Sequence, residues 1–257
     1  MYPPEGSKDH LYAKPIERIG NFVFDDSVAQ VFDDMIRRSV PGYGMTLSLM
    51  PLVAKRFGQP QTRAYDLGCS LGAGMASIAN GLPDSVQLIG IDNAEPMLDR
   101  CAENLSATNL KQTWELICSD ILETDYSNAS VALLNFTLQF VPVDKRLSLL
   151  TSIAHGINPG GVLMLSEKVH FEEPCIQESL FELHHDFKLS NGYSDMEVSQ
   201  KRASLENVLI AETIDEHKSR LRTAGFSHYE VWLQCFNFVS LLAVSYTHLT
   251  LPTSDLV

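Results

Sequence analysis

No stretch of this 257-residue chain approaches the roughly 20 consecutive apolar residues that cross a bilayer. The longest apolar runs resemble Val131-Ala132-Leu133-Leu134, so no membrane span is expected. The start, Met1-Tyr2-Pro3-Pro4-Glu5-Gly6, lacks the basic and apolar regions of a secretory leader, and a cytoplasmic location is expected. Cysteine is sparse and scattered: Cys69, Cys101, Cys118, Cys175 and Cys235 are odd in number and never form C-x-x-C. That pattern points to buried thiols in a reducing compartment, away from a disulfide framework or a zinc site. No metal is expected. Basic residues are also short, 19 Lys and Arg against 32 Asp and Glu, for a net charge of −13. Proteins that grip nucleic acid by its backbone present basic surfaces. A small-molecule substrate is therefore expected, without direct nucleic-acid binding.

What is present is an alternation of short apolar runs and helical patterns. Arg63-Ala64-Tyr65-Asp66-Leu67 predicts a buried strand entering the turn Gly68-Cys69-Ser70-Leu71-Gly72-Ala73-Gly74, with a helix to about Leu82 before Pro83-Asp84. Val86 to Asp92 predicts a second strand, and Glu95 to about Leu105 a helix with Met97, Leu98, Cys101 and Leu105 on one face. Thr113 to Cys118 and Ser130 to Phe136 predict two more strands. Lys145 to Gly156 predicts a helix, closed by Asn158-Pro159-Gly160-Gly161 before a strand from Val162 to Ser166. Such alternation implies a mostly parallel sheet with right-handed crossovers, an α/β doubly wound fold.

The rhythm then changes. Residues 172–208 carry two helical patterns and no strand, with a capping box at Ser194-Asp195-Met196-Glu197. A helical insertion there is expected to lie over the ligand crevice as a lid. Thr213 to Glu216 is a second capping box, its helix ending at Gly225, and residues 228–235 and 238–244 predict a hairpin at the sheet edge. A single domain over 1–244 is expected, with 245–257 a disordered or foreign tail.

The chemistry concentrates at strand ends. A strand, a Gly-rich turn and a helix together favour a ligand that approaches the main chain closely. Gly68-x-Ser70-x-Gly72 also matches a hydrolase nucleophile elbow with Ser70 as nucleophile, but that elbow comes late in a hydrolase sheet and this turn follows the first strand. Asp92, about twenty residues past the turn, suits the ribose hydroxyls of a nucleoside, which alone allows NAD. The dinucleotide fingerprint needs a third glycine, and it leaves Asp120 unexplained. An acid at the end of the third strand followed by apolar Ile121, with Asn135 ending the fourth, favours S-adenosylmethionine.

Longer strings narrow the match. They include Val40-Pro41-Gly42-Tyr43, Tyr65 to Ala73, Leu134-Asn135-Phe136-Thr137-Leu138-Gln139-Phe140 and Leu165-Ser166-Glu167-Lys168. His184-His185-Asp186-Phe187-Lys188, Asn191-Gly192-Tyr193-Ser194 and Ser199-Gln200-Lys201-Arg202 complete the set. From about Leu11 to Val244 the chain resembles the carboxy-S-adenosyl-L-methionine synthases, members of the Rossmann-like, seven-stranded methyltransferase fold.

The resemblance implies conversion of S-adenosyl-L-methionine and prephenate to carboxy-S-adenosyl-L-methionine and phenylpyruvate. It implies a homodimer whose product serves a separate tRNA carboxymethyltransferase that builds the 5-oxyacetyl group of wobble uridine. It also implies ligand contacts at Tyr43, Gly68, Cys69, Ser70, Asp92, Asn93, Asp120, Ile121, Asn135 and Arg202. Arg202 is the residue expected to carry the reaction's specificity, since a guanidinium pairs bidentately with an added carboxylate. No protein general base stands out. Two other readings remain at this point: an S-adenosylmethionine-dependent methyltransferase acting on a small molecule or tRNA, and a non-catalytic subunit that keeps the nucleotide pocket. His184-His185 predicts packing or a lid-to-core hydrogen bond, because neighbouring helix positions diverge by about 100°.

Overall fold

Among the described residues seven strands form one sheet, and those at its centre are apolar on both faces. The strand Ala129–Asn135 is buried at every position but its last, the signature of a parallel strand covered by helices on both sides. In the computed structural model, which describes residues 8–245, the strands are β1 (Arg63–Leu67), β2 (Gln87–Asp92), β3 (Trp114–Cys118), β4 (Ala129–Asn135), β5 (Ile157–Lys168), β6 (His228–Cys235) and β7 (Phe238–Val244). Their spatial order is β3-β2-β1-β4-β5-β7-β6. β1 to β5 run parallel, whereas β7 pairs antiparallel with both β5 and β6. The expected mostly parallel sheet with an edge hairpin is therefore what the chain forms.

Among the described residues eight α-helices accompany the sheet: α1 (Asp26–Ser39), α2 (Tyr43–Phe57), α3 (Ala73–Ala79), α4 (Glu95–Ala107), α5 (Val143–Gly156), α6 (Pro174–Ser190), α7 (Asp195–Leu205) and α8 (Ile214–Ala224). Alternate residues of β4 divide the core. Ala132 and Leu134 pack with Leu149, Ile153 and Leu221 of α5 and α8. Val131 and Leu133 pack with Leu47, Met50, Met75, Ile78 and Leu98 of α2, α3 and α4.

Three expected boundaries move. β5 begins at Ile157, not Val162: Ile157 already pairs with Ala129, and the register then jumps so that Val131 faces Val162. The intervening Asn158-Pro159-Gly160-Gly161 is an irregularity inside the strand, with Gly160 at φ 80°. α3 stops at Ala79, three residues short of Leu82. Ser245, expected to lie in the tail, instead extends the sheet pairing, its amide donating to Gly161 O at 3.1 Å. Residues 246–257 lie outside the described residues.

Both capping boxes are formed. Ser194 and Glu197 open α7, and Thr213 and Glu216 open α8. Among the described residues no helix is long and apolar enough to cross a membrane.

Candidate functional site

The strand order reverses between β1 and β4, and a crevice opens outside the carboxyl ends of the strands there, as doubly wound sheets require. The cavity has a volume of about 900 Å³, and all ten residues expected as ligand contacts line it.

The turn after β1 is held by its own hydrogen bonds. Gly68 and Cys69 donate their amides to Ile91 O at 2.7 and 3.0 Å, and the Ser70 amide donates to Asp92 Oδ2 at 2.9 Å. These amides fasten the turn to β2 and are not free donors for a ligand. Gly68 has φ 76°, and a Cβ there would lie 2.5 Å from the Thr137 side chain, so only glycine fits. Ser70 also has positive φ, 49°. Its hydroxyl lies 3.8 Å from Met97 Sδ, and among the described residues no histidine bonds it, which leaves the nucleophile-elbow reading without its base.

Asp92 ends β2 with each oxygen fixed by one amide, Oδ2 by Ser70 and Oδ1 by Ala94 at 3.0 Å. Burial pushes its carboxyl up while those amides pull it down. Each oxygen keeps a lone pair for a diol, and Asn93 lines the wall beside it. Past β3, Asp120 caps a short 3₁₀ turn through Leu122 N at 2.9 Å, placing the apolar side chain of Ile121 against the same wall.

Asn135, the last residue of β4, carries a buried Oδ1 with no partner among the described residues. A buried acceptor left unbonded is costly, so this atom fits a ligand donor such as an ammonium group. Tyr43, the first residue of α2, is buried with its ring centroid 6.3 Å from that of Phe136.

Asp66 belongs to the same wall and was missed as a site residue, although it stands in the β1 string. It is 2% exposed, and burial pushes its carboxyl up to about 7, against the Met75 amide and with Asp92 adding repulsion. A cation in the cavity favours its ionised form. Affinity for S-adenosylmethionine is therefore expected to rise with pH through about 7, by up to about tenfold per pH unit for one proton. Asp66→Asn should flatten that rise. Calorimetric titrations between pH 6 and 8 check it, and an equal slope in the variant would contradict the assignment.

Cys69 contributes to the site through its main chain. Its hydrogen bond with Cys101, then burial, push the thiol up. The thiol faces the core near Cys101 and Gly90, leaving its backbone to line the cavity.

The far wall comes from α6 and α7. Arg202 is exposed, its guanidinium 4.5 Å from the Phe181 ring centroid, which stacks α7 on α6. His184 Nε2 bonds Ser39 O at 2.8 Å, and burial holds its pKa near 2, so it is a neutral tie between α6 and the end of α1. His185 bonds Asp195 at 3.0 Å. Lys201 is buried, with Nζ 3.0 Å from Ser39 Oγ and 4.0 Å from Asp9. Among the described residues no cluster of three or more His, Cys, Asp or Glu forms a metal site.

Relatives carry the assignment further. Residues 64–161 match the family model described as a methyltransferase domain. The carboxy-S-adenosyl-L-methionine synthase of Actinobacillus pleuropneumoniae serotype 3 is 50% identical over 239 residues, covering 93% of this chain and 99% of the relative. The chain belongs to the carboxy-S-adenosyl-L-methionine synthase family. The synthase of Shewanella halifaxensis is 51% identical, covering 93% of this chain and 98% of its own length. Solved structures share the fold at lower identity. An O-methyltransferase family protein from Burkholderia thailandensis has a TM-score of 0.63 at 16% identity, over 88% of this chain and 61% of that one. A riboflavin-analogue dimethyltransferase from Streptomyces davawensis has a TM-score of 0.56 at 16% identity, over 86% and 58%. Membership makes this chain a transferase of S-adenosylmethionine chemistry.

Proposed function

We propose that the cavity binds S-adenosyl-L-methionine and carboxylates its methyl group with carbon dioxide released from prephenate. The observation that carries this reading is Arg202, a cavity-lining guanidinium that no carboxylate among the described residues pairs with. An ordinary methyl donor places nothing anionic beyond the sulfonium, whereas a carboxymethyl group does.

On this reading Asp120 and Ile121 hold the adenine edge. Asp92 and Asn93 take the ribose, and the backbone of Gly68, Cys69 and Ser70 packs along the nucleoside. Asn135 and Tyr43 face the methionine end, and Arg202 pairs with the new carboxylate. Prephenate yields phenylpyruvate, carbon dioxide and hydroxide; the hydroxide removes a methyl proton as water, and the resulting carbon nucleophile bonds carbon dioxide. No protein base is required. The same reading makes the chain a homodimer in the cytoplasm that supplies a tRNA carboxymethyltransferase and touches no RNA itself.

Incubation with S-adenosylmethionine and prephenate should give one carboxy-S-adenosylmethionine and one phenylpyruvate per prephenate consumed. Methyl transfer with S-adenosylhomocysteine as the only nucleoside product would overturn the reading in favour of a methyltransferase.

A further inference from the structure

The cavity is lined by both acids and cations. Asp66, Asp92 and Asp120 stand at or just past the ends of β1, β2 and β3, and Asp33 of α1, Asp195 of α7 and Glu206 just past α7 line it as well. Lys168 at the end of β5, Lys188 of α6 and Arg202 of α7 line the same cavity. None of these three cations has an ion-pair partner among the described residues. The neighbouring Lys201 differs, since it is bonded to Ser39 and lies close to Asp9.

Unpaired cations crowded together are costly unless something anionic is meant to join them. Burial first, then Lys168, Lys201 and Arg202, pulls Lys188 down to about 7. Burial and Arg202 pull Lys168 down as well. S-adenosylmethionine does not relieve this crowding: its sulfonium and ammonium outweigh its one carboxylate, so it arrives as a net cation. The product's added carboxylate answers one positive charge, which the function proposed above assigns to Arg202. Two lysines remain unanswered.

We propose that Lys168 and Lys188 form the subsite for the second substrate, gripping the carboxylates of a small dicarboxylate beside the methyl group. The inference rests on the proposed reaction for the identity of that dicarboxylate, but not for its charge. Two point charges on separate elements, one on the sheet and one on the insertion, discriminate a dianion from a monoanion by the second contact. The dianion also draws α6 toward β5, and in doing so encloses the sulfonium. Both lysines bind rather than transfer protons, so their loss should raise KM for the dicarboxylate while leaving the nucleoside site intact.

The test titrates prephenate, other small dicarboxylates and the monocarboxylate phenylpyruvate into the protein saturated with S-adenosylhomocysteine, for wild type, Lys168→Met/Lys188→Met and Lys188→Arg. Methionine keeps length and apolar packing, and S-adenosylhomocysteine affinity within about twofold of wild type reports an intact fold. Wild type should prefer at least one dicarboxylate over the monocarboxylate by about tenfold, the double variant should lose that preference, and Lys188→Arg should retain most of it. Wild type that binds no dicarboxylate, or a double variant that binds it as well as wild type, would overturn the subsite. If the double variant loses S-adenosylhomocysteine binding, Lys168→Met and Lys188→Met are titrated singly, and the same criteria apply. A subsite that passes in an enzyme that turns over no prephenate would sink the proposed reaction and leave the dicarboxylate subsite standing.

Discussion

Asp92→Ala is expected to weaken S-adenosylmethionine binding by about a hundredfold or more. The Asp92 carboxylate is already aligned by the amides of Ser70 and Ala94, so little freedom is lost when its remaining lone pairs meet two ribose hydroxyls. Hydrogen bonds to a charged group contribute roughly 1.5–3 kcal/mol each, and two of them correspond to roughly 3–6 kcal/mol, or two decades and beyond. The substitution also frees the Ser70 amide, which loosens the turn beneath the nucleoside. Asp92→Asn separates the two effects, because its amide keeps one acceptor oxygen and should fall between wild type and alanine. Isothermal titration with S-adenosylmethionine reads the losses. Affinity within a few fold of wild type in the alanine variant would show that the nucleoside does not use this acid.

The second large effect is selective rather than general. Arg202→Leu should lower affinity for carboxy-S-adenosylmethionine by about tenfold to a hundredfold while changing affinity for S-adenosylmethionine much less. Leucine is a good helix former, and Arg202 is exposed on α7, so the helix should persist. The stack on Phe181 is replaced by an apolar contact. Parallel titrations with both nucleosides decide the matter. Equal losses would mean that Arg202 holds α7 against α6, or grips the methionine carboxylate instead.

Much of this architecture was legible in the sequence because the parallel strands are apolar on both faces and end at turn residues. β1 to β4 and the closing hairpin fell within a residue or two of expectation. The irregular start of β5 was not legible: Asn158-Pro159-Gly160-Gly161 has the composition of a loop, and only its pairing with Ala129 and Ser245 keeps it in the sheet.

The N-terminal helices were also missed. α1 carried a readable signal, an Asp25 cap followed by Val28, Val31 and Met35 along one buried face. α2 did not, because Pro51 sits inside it and proline ordinarily breaks a helix. The missing Pro51 amide leaves Leu47 O without its helical donor, and the Ser77 hydroxyl of α3 supplies one instead. That compensation comes from 30 residues away and leaves no trace in the local pattern.

The site divides in the same way. Strand-end acids and the asparagine follow a spacing that sequence can carry, and the structure brings them to one cavity. Lys168 and Lys188 lie on a strand and an inserted helix with no spacing in common, so only the fold shows that they share a wall. Asp66 looked like part of a turn motif until its burial showed a carboxyl under strain from its surroundings.

The reaction assigned to this cavity is tested most directly by the nucleoside that the protein itself retains. Ligand released from freshly purified protein and weighed by mass spectrometry should be heavier than S-adenosylmethionine by one carbon dioxide, because Arg202 favours the carboxylated form. Recovery of S-adenosylmethionine or S-adenosylhomocysteine alone, with no heavier species formed on adding prephenate, would contradict it.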